Sequence, residues 1–530
     1  MTKTAIAAAL GECVHVAGVS NFLRLAELAG WKTIFLGPAV SIETILDFTR
    51  RVGADQRPGD ELLVGISYRL TPETGERLLG EFAEEASALR ESGVRFAFGG
   101  TPPVAERVAK IGFFERIFDG SESPEQVLAY LKGQPAQAVT ETDFPHSGGF
   151  PQRVTERIAW RAPYPILRHH FGLPSMEATI EGVQKIAEAQ SLDLISLGTD
   201  QDAQENFFHP ERQDARRKGA GGVPVRSLDD FRALYEASRR GNFPMLRAYS
   251  GTDDFIRYAE VLTDTIHNAW CAIPLFWFNQ MDGRGPWDLE GSIREHQKVM
   301  AWYGERDIPV ELNEPHHWGM RDSSDVVYVV SAFLAAYNAR KFGVRDYIAQ
   351  MMFNSPPGTS DAMDLAKMLA ILEMIAPLAL TPNPSPKGRG ELPSPIGGRA
   401  GDEGAFRIWR QTRIGLLSHP LDPDAARGHL AASTYLQMAL KPHIYHIVGH
   451  TEAHHAATAD DIIEASKIVR RAITNALGAP DMTQAPEVQQ RKEILVEEAN
   501  ILLEHIHAIA PLEAGDPWAD PATLAKAVTS

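Results

Sequence analysis

A strand-like run at residues 4–10 breaks into Gly11-Glu12-Cys13-Val14-His15-Val16-Ala17-Gly18. Helical periodicity follows at 21–28, a strand at 33–36, and then Gly37-Pro38-Ala39-Val40-Ser41-Ile42-Glu43 opens a second helix. A third strand, 61–66, runs into Ser67-Tyr68, and a fourth, 95–98, ends in Gly99-Gly100. Strands that alternate with helices pair in parallel, because each helix returns the chain to the same end of the sheet. This constraint predicts an α/β unit over residues 1–133, doubly wound and flavodoxin-like. It also places His15, Gly18, Ser41, Ser67, Gly99, Gly100 and Gly120 in loops after strands, where an open parallel sheet presents groups to a ligand.

The chain of 530 residues is too long for one ordinary domain. Residues 134–155 are polar and rich in Pro, Gly, Ser and Thr at first, and read as a linker. Beyond it, strand-like runs recur at 166–170, 192–197, 243–249, 271–278, 308–312, 347–353, 406–413 and 444–448. Helical stretches such as 292–303, 323–341 and 362–378 fall between them, and a helical tail covers 487–509. The alternation predicts a (β/α)8 TIM-type barrel over 156–530. Residues 381–404 interrupt it with two Pro/Gly/Arg-rich near-copies, which cannot bury enough apolar surface to order themselves. This insert follows a helix and precedes a strand, so it is expected on the barrel's N-terminal face, as a partner-binding loop or a repeat without a role.

A formal charge of −17 leaves no basic stripe for phosphates, so nucleic acid is not an expected partner. Cys13 and Cys271 cannot build a disulfide framework. No secretion signal is recognisable and no run of 18 apolar residues occurs. A cytoplasmic protein that does not engage a membrane is the expectation.

His15-Val16-Ala17-Gly18, Val40-Ser41 and Gly99-Gly100 resemble, in order and spacing, the cobalamin-binding domain of adenosylcobalamin-dependent mutases and methionine synthases. The resemblance implies that His15 is the lower axial ligand of cobalt, displacing the dimethylbenzimidazole base into a slot where glycine lets the backbone come close. The family's aspartate, which hydrogen-bonds this histidine and tunes its basicity, is Cys13 here. Glu12 is adjacent, but strand alternation turns it the other way. The plainer alternative for His15 is a loop histidine without a ligand.

The barrel resembles the large subunit of glutamate mutase (methylaspartate mutase) more weakly, over about 160–510. The matching strings are Ala248-Tyr249-Ser250-Gly251-Thr252-Asp253-Asp254, Leu289-Glu290-Gly291-Ser292, Leu312-Asn313-Glu314-Pro315 and Thr451-Glu452-Ala453. That resemblance implies an adenosylcobalamin-dependent isomerase acting by radical rearrangement on a small-molecule substrate, and a homodimer formed through the barrel. Glu452 matches a glutamate that contacts the adenosyl ribose; its alternative is a first-turn glutamate of the helix that follows. The positions matching the family's three carboxylate-binding arginines hold His170, Gln204 and Tyr249, with an apolar stretch near Ile273. Glutamate is therefore not the expected substrate. Arg168, Arg247 and Arg321 lie near strand ends and could hold a single carboxylate by a shifted geometry. The candidate catalytic set is Glu452, Arg247, Tyr249 and His170. The run Pro274-Leu275-Phe276-Trp277-Phe278 fits a bulkier, more apolar substrate or a buried barrel strand.

His443, His446, His450, His454 and His455 cluster near the last strand, with His316, His317, His169 and His170 elsewhere at strand ends. They read better as the lining of a polar mouth than as a second metal site. Two other functions compete with the isomerase. One is a corrinoid-dependent methyltransferase, whose usual helical cap ahead of the cobalamin fold has no counterpart before Thr4. The other is a non-catalytic cobalamin-binding protein, which a full barrel makes less apt.

Overall fold

The computed structural model describes residues 2–120, 122, 124–133, 149–379, 406–511 and 514–530. The insert at 381–404 and most of the linker, 134–148, lie outside the described residues. The chain divides into two units, Met1–Thr140 and Glu141–Ser530.

The first unit is built on five parallel strands: β1 (Lys3–Leu10), β2 (Lys32–Val40), β3 (Glu61–Tyr68), β4 (Arg95–Gly100) and β5 (Arg116–Phe118). Their order is β2-β1-β3-β4-β5, so the chain reverses direction across the sheet between β1 and β3. Both faces are covered, which is why β1 and β3 are apolar almost throughout instead of alternating. One face packs Ile6, Leu10, Val64, Ile66, Phe96 and Phe98 beneath three helices, Ile42–Ala54, Pro72–Glu91 and Pro102–Ala109. The other face is floored with small residues, Ala5, Ala7 and Ala97, under helices Ala17–Leu28 and Pro124–Leu131. There the Trp31 indole donates to the Leu131 carbonyl at 2.9 Å, tying the last helix to the sheet. The sequence pattern placed β2 at 33–36 and a loop at 37–40, whereas β2 runs on to Val40. A positive φ at Gly37 and register shifts against β1 absorb the irregular Gly-Pro-Ala stretch without ending the strand.

The second unit is a nearly closed eight-stranded parallel barrel. Its strands are β6 (Ile166–Phe171), β7 (Leu194–Leu197), β8 (Met245–Ala248), β9 (Cys271–Ile273), β10 (Val310–Leu312), β11 (Asp346–Phe353), β12 (Arg407–Ile414) and β13 (Ile444–His446). The ladder runs β8-β7-β6-β13-β12-β11-β10-β9. Across the remaining seam, Ala269 N–H donates to Leu246 O at 2.9 Å and Ser250 N–H to Ala272 O at 3.2 Å, so β8 and β9 meet without a regular ladder. A helix follows every strand, and several start on side-chain caps: Ser175 caps Met176–Glu188, Ser227 and Asp230 form a capping box for Leu228–Ala237, and Thr458 and Asp461 do so for Ala459–Ala476. The tail helix Pro486–Ala508 packs against Asp325–Lys341 and Asp361–Ala379.

The lumen is apolar only at its N-terminal end. Ile166, Leu194, Met245, Ile348, Trp409 and Ile444 form one cluster there with Val154 and Ile158 of helix Val154–Arg161. Arg157 on that helix is fully buried, paired with Asp193 at 3.2 Å, and donates to the carbonyls of Asn242 and Phe243. This plug seals the floor, so the opposite end is the one that can admit a ligand. Among the described residues no helix is long and apolar enough to cross a membrane.

Candidate functional site

In the first unit, the register places Ala9 beside Ser67 and Ser67 beside Gly99. His15 follows β1, whereas Ser67, Gly99 and Gly100 lie in the last residues of β3 and β4 themselves, not in loops after them as expected. All four lie at the C-terminal end of the sheet beside its reversal point, with Gly120 after β5, two strands further along than β3. His15 is exposed, and its Nδ1 lies 3.9 Å from the buried Cys13 sulfur. The thiol is thus the side chain beside the imidazole. Glu12 turns away and accepts from the Tyr68 hydroxyl at 2.9 Å, as strand alternation predicts. A side chain at Gly18, Gly99 or Gly120 would meet nothing within 4 Å, whereas one at Gly100 would press on the Phe98 ring and the Tyr68 carbonyl. Gly18 sits in the first turn of helix Ala17–Leu28. Ser41 lies on the β2 side, exposed, and caps helix Ile42–Ala54 by accepting from Thr44 N–H at 3.2 Å.

In the second unit, residues two apart on a strand share the inner face. Above the apolar floor, Arg168, Arg247 and Glu311 are fully buried, with guanidinium-to-carboxylate distances of 3.8 Å from Arg168 and 3.7 Å from Arg247. Arg168 donates to Ser196 Oγ at 2.8 Å and contacts His446 Nδ1 at 2.7 Å, while Arg247 Nε donates to the same serine at 3.0 Å. The Trp270 indole donates to Glu311 at 2.6 Å, and its ring lies beneath both guanidiniums. Burial opposes ionisation of Glu311, but Arg247 and Arg168 outweigh it and hold the carboxyl below its usual range. Burial also pulls Arg168 down to about 9, with the Arg247 charge adding to the shift, so it stays cationic at neutral pH.

One pleat nearer the mouth, the His170 and Tyr249 rings stack 5.6 Å apart and only 8° from parallel. Burial, then Arg168, Arg247 and Arg413, hold His170 well below its usual value, so it is neutral. Glu452 follows β13 at the same end of the barrel. Its carboxylate meets His169 Nε2 at 2.8 Å and accepts from Gly449 N–H at 2.6 Å. It is not a helix-start residue, because the next helix begins at Ala459 on its own capping box. Burial would raise the Glu452 carboxyl, but His169 and the Gly449 amide outweigh it and keep it low.

Of the expected barrel residues, His170 and Tyr249 thus stack toward the C-terminal mouth above Arg247 and Arg168, and Glu452 lies at the same end of the barrel. Gln204 stands apart on the short helix Gln201–Glu205 and reaches Thr199 Oγ1 at 3.4 Å. Arg321 is also apart. It is exposed, lies over the Trp277 ring at 3.7 Å and donates to His317 O. The stretch 274–278, expected either as the end of a strand or as substrate wall, leaves the strand at Ile273. Glu314 forces the turn by accepting from Leu275 N–H at 2.6 Å and Phe276 N–H at 3.1 Å. Burial raises this carboxyl to about 7.

Sequence reasoning missed Glu311, Gln350, Gln411 and Arg413 as site residues. The available signal was polarity inside short strands: Glu311 sits between Val310 and Leu312, and Gln350 between Ala349 and Met351. Among the described residues, no group of three or more His, Cys, Asp or Glu side chains is gathered as for a metal ion. Of the histidines near the last strand, His443 accepts from Arg410 N–H at 3.0 Å, His446 lies in the lumen, and His454 and His455 are exposed.

No protein-family model matches the chain, and no curated protein is similar to it at a significant level. Among solved structures, part of the chain is similar to a cobalamin-binding protein from Desulfitobacterium hafniense DCB-2, at 23% identity and a TM-score of 0.20. The match covers 24% of this chain and 55% of the other, so the chain spans about half the length of that relative.

Proposed function

We propose that the first unit binds a corrinoid, with His15 as the lower cobalt ligand, and that the barrel is an adenosylcobalamin-dependent isomerase of a small acid or acyl substrate. The observation that carries this reading is the single sheet edge holding His15, Ser67, Gly99 and Gly100 beside the reversal between β1 and β3. The strand order also supports the doubly wound, flavodoxin-like reading of the unit.

The residues present suit such a group. His15 is exposed, and in the tautomer where Nδ1–H donates to the Cys13 sulfur, Nε2 keeps its lone pair for a metal. Gly18 and Gly99 leave open space where a side chain would stand, so a flat macrocycle can approach the backbone. When bound, an adenosyl-corrinoid supplies a carbon radical for hydrogen abstraction. The chain's own part is to hold and shield. The sealed barrel floor keeps water from the lumen, and the stacked His170–Tyr249 pair covers it from the mouth. Glu452, fixed by His169 and Gly449, offers a carboxylate suited to two vicinal ribose hydroxyls.

Reconstitution with hydroxocobalamin tests the cofactor assignment. The expected result is a base-off, histidine-on absorbance spectrum that His15→Ala loses together with most of the affinity. An unchanged spectrum in the variant sinks the assignment. Protein purified in the dark should carry an adenosyl upper ligand; a methyl ligand would transfer the barrel to the methyltransferase reading.

A further inference from the structure

We infer that the barrel lumen holds a subsite for one monoanionic carboxylate, gripped by the two terminal nitrogens of Arg247, with a neutral polar group of the same ligand at Gln350. The inference rests on the reading of the barrel as a substrate site and narrows that substrate to a class.

Five charges set the balance. Arg168, Arg247 and Arg413 face two carboxylates, Glu311 and Glu452, leaving one unmatched positive charge. The histidines do not change this count, because His170 and His446 are both held neutral by burial and by the same arginines. An uncompensated charge in a dry lumen is costly, and one added anion cancels it.

The free donors say where that anion sits. Arg168 spends its terminal nitrogens on Ser196 and His446. Arg247 commits only Nε, to Ser196, and its Nη1 and Nη2 are buried without a hydrogen-bond partner. Glu311, 3.7 Å from Nη1, is too far to satisfy them. Two adjacent N–H donors on a planar fork match the two oxygens of a carboxylate. A dianion would overshoot the balance.

Gln350 supplies the second contact. It is buried, both its amide atoms lack partners, and it lies one pleat toward the mouth from Ile348, the register partner of Glu311. A hydroxyl or amide could satisfy both atoms. The Tyr249 ring, 4.8 Å from the Arg247 guanidinium and stacked on His170, covers the subsite and must move aside for entry.

The test uses the full chain without corrinoid, titrated calorimetrically with formate, acetate, propionate and lactate, with their amides and with succinate. At least one monocarboxylate should bind, lactate best, and its amide at least about tenfold more weakly. Succinate should also bind more weakly than lactate. Arg247→Met should weaken binding by about a hundredfold, yet melt at or above the wild-type temperature, because it removes the unmatched charge. If no monocarboxylate binds, or acid and amide bind alike, the inference falls. It falls equally if Arg247→Met melts well below wild type, which would make the guanidinium a structural partner of Glu311. Corrinoid binding is read separately by absorbance, so failure of the cofactor assignment and failure of the anion subsite cannot be confused.

Discussion

The edge of the first unit and the lumen of the second prepare for ligands in opposite ways. Along the edge, glycine and small residues at Gly18, Gly99 and Gly120 remove side chains, and one exposed imidazole stands beside a thiol. In the lumen, Arg168, Arg247, Glu311 and His446 crowd a space closed to water, with the terminal nitrogens of Arg247 left without a hydrogen-bond partner. The first arrangement suits a large flat ligand recognised by backbone proximity and one metal bond. The second suits a small charged ligand recognised by matched charge. The contrast also predicts where each region will be fragile: loss of the Glu311 carboxylate should destabilise the lumen, and filling an open position on the edge should cost binding.

The sharpest break in that contrast is Glu311→Leu. It strands two guanidiniums that are fully buried, and should cost about 3–5 kcal/mol in denaturant unfolding. A loss below about 1 kcal/mol would show that the lumen charges are hydrated in solution.

Glu314→Gln comes next. The folded protein holds this carboxyl at about 7 against an ordinary 4.5, so the native state binds the proton more tightly than the unfolded chain. Wild-type stability should therefore fall as pH rises from about 4.5 to 7 and level off above. An amide keeps an acceptor for the Leu275 and Phe276 N–H groups and carries no charge, so the variant should lose that slope. At pH 8 it should exceed wild type by up to about 3 kcal/mol. Parallel pH curves for the two proteins would remove Glu314 as the source.

Two glycine variants sharpen the other side of the comparison. Gly100→Val drives Cβ to 2.7 Å from the Phe98 ring and 2.8 Å from the Tyr68 carbonyl, and should cost about 1–3 kcal/mol. Gly99→Val meets nothing within 4 Å and should fold within about 0.5 kcal/mol of wild type, yet bind corrinoid poorly. Full corrinoid affinity in Gly99→Val would take the ligand off this edge.

The smallest effect belongs to Cys13. A carboxylate in its place accepts more strongly from Nδ1–H and makes the imidazole more basic, so Cys13→Asp should tighten corrinoid binding by about tenfold. Equal or weaker binding would mean that the thiol neighbour does not tune His15.

Much of this architecture was legible in the sequence. All eight barrel strands overlap the expected places, because each is a short run rich in apolar or β-forming residues bounded by helical periodicity. The most misjudged end in the barrel, at 271–278, fell where apolarity continued but the strand did not. Glu314 pulls Leu275 and Phe276 out of the strand through two hydrogen bonds that no periodicity announces. The sheet edge was legible because its signal is local, a histidine and glycines at or just after strand ends. The lumen was legible only in part. Arg247, Tyr249 and His170 were found by position, whereas Glu311 matters through partners dozens to more than a hundred residues away and Gln350 through having none. The Arg168–His446 contact spans 278 residues of sequence. Arg321 shows the converse, an arginine near a strand end that turns outward onto Trp277.

The central claim is a bond between His15 and cobalt. Electron paramagnetic resonance of the reconstituted protein, reduced to the cob(II)alamin state, measures it directly. The expected spectrum shows nitrogen superhyperfine triplets that become doublets when histidine is labelled with the heavy nitrogen isotope, and that vanish in His15→Ala. Triplets that persist after labelling, or that survive in His15→Ala, would contradict the account.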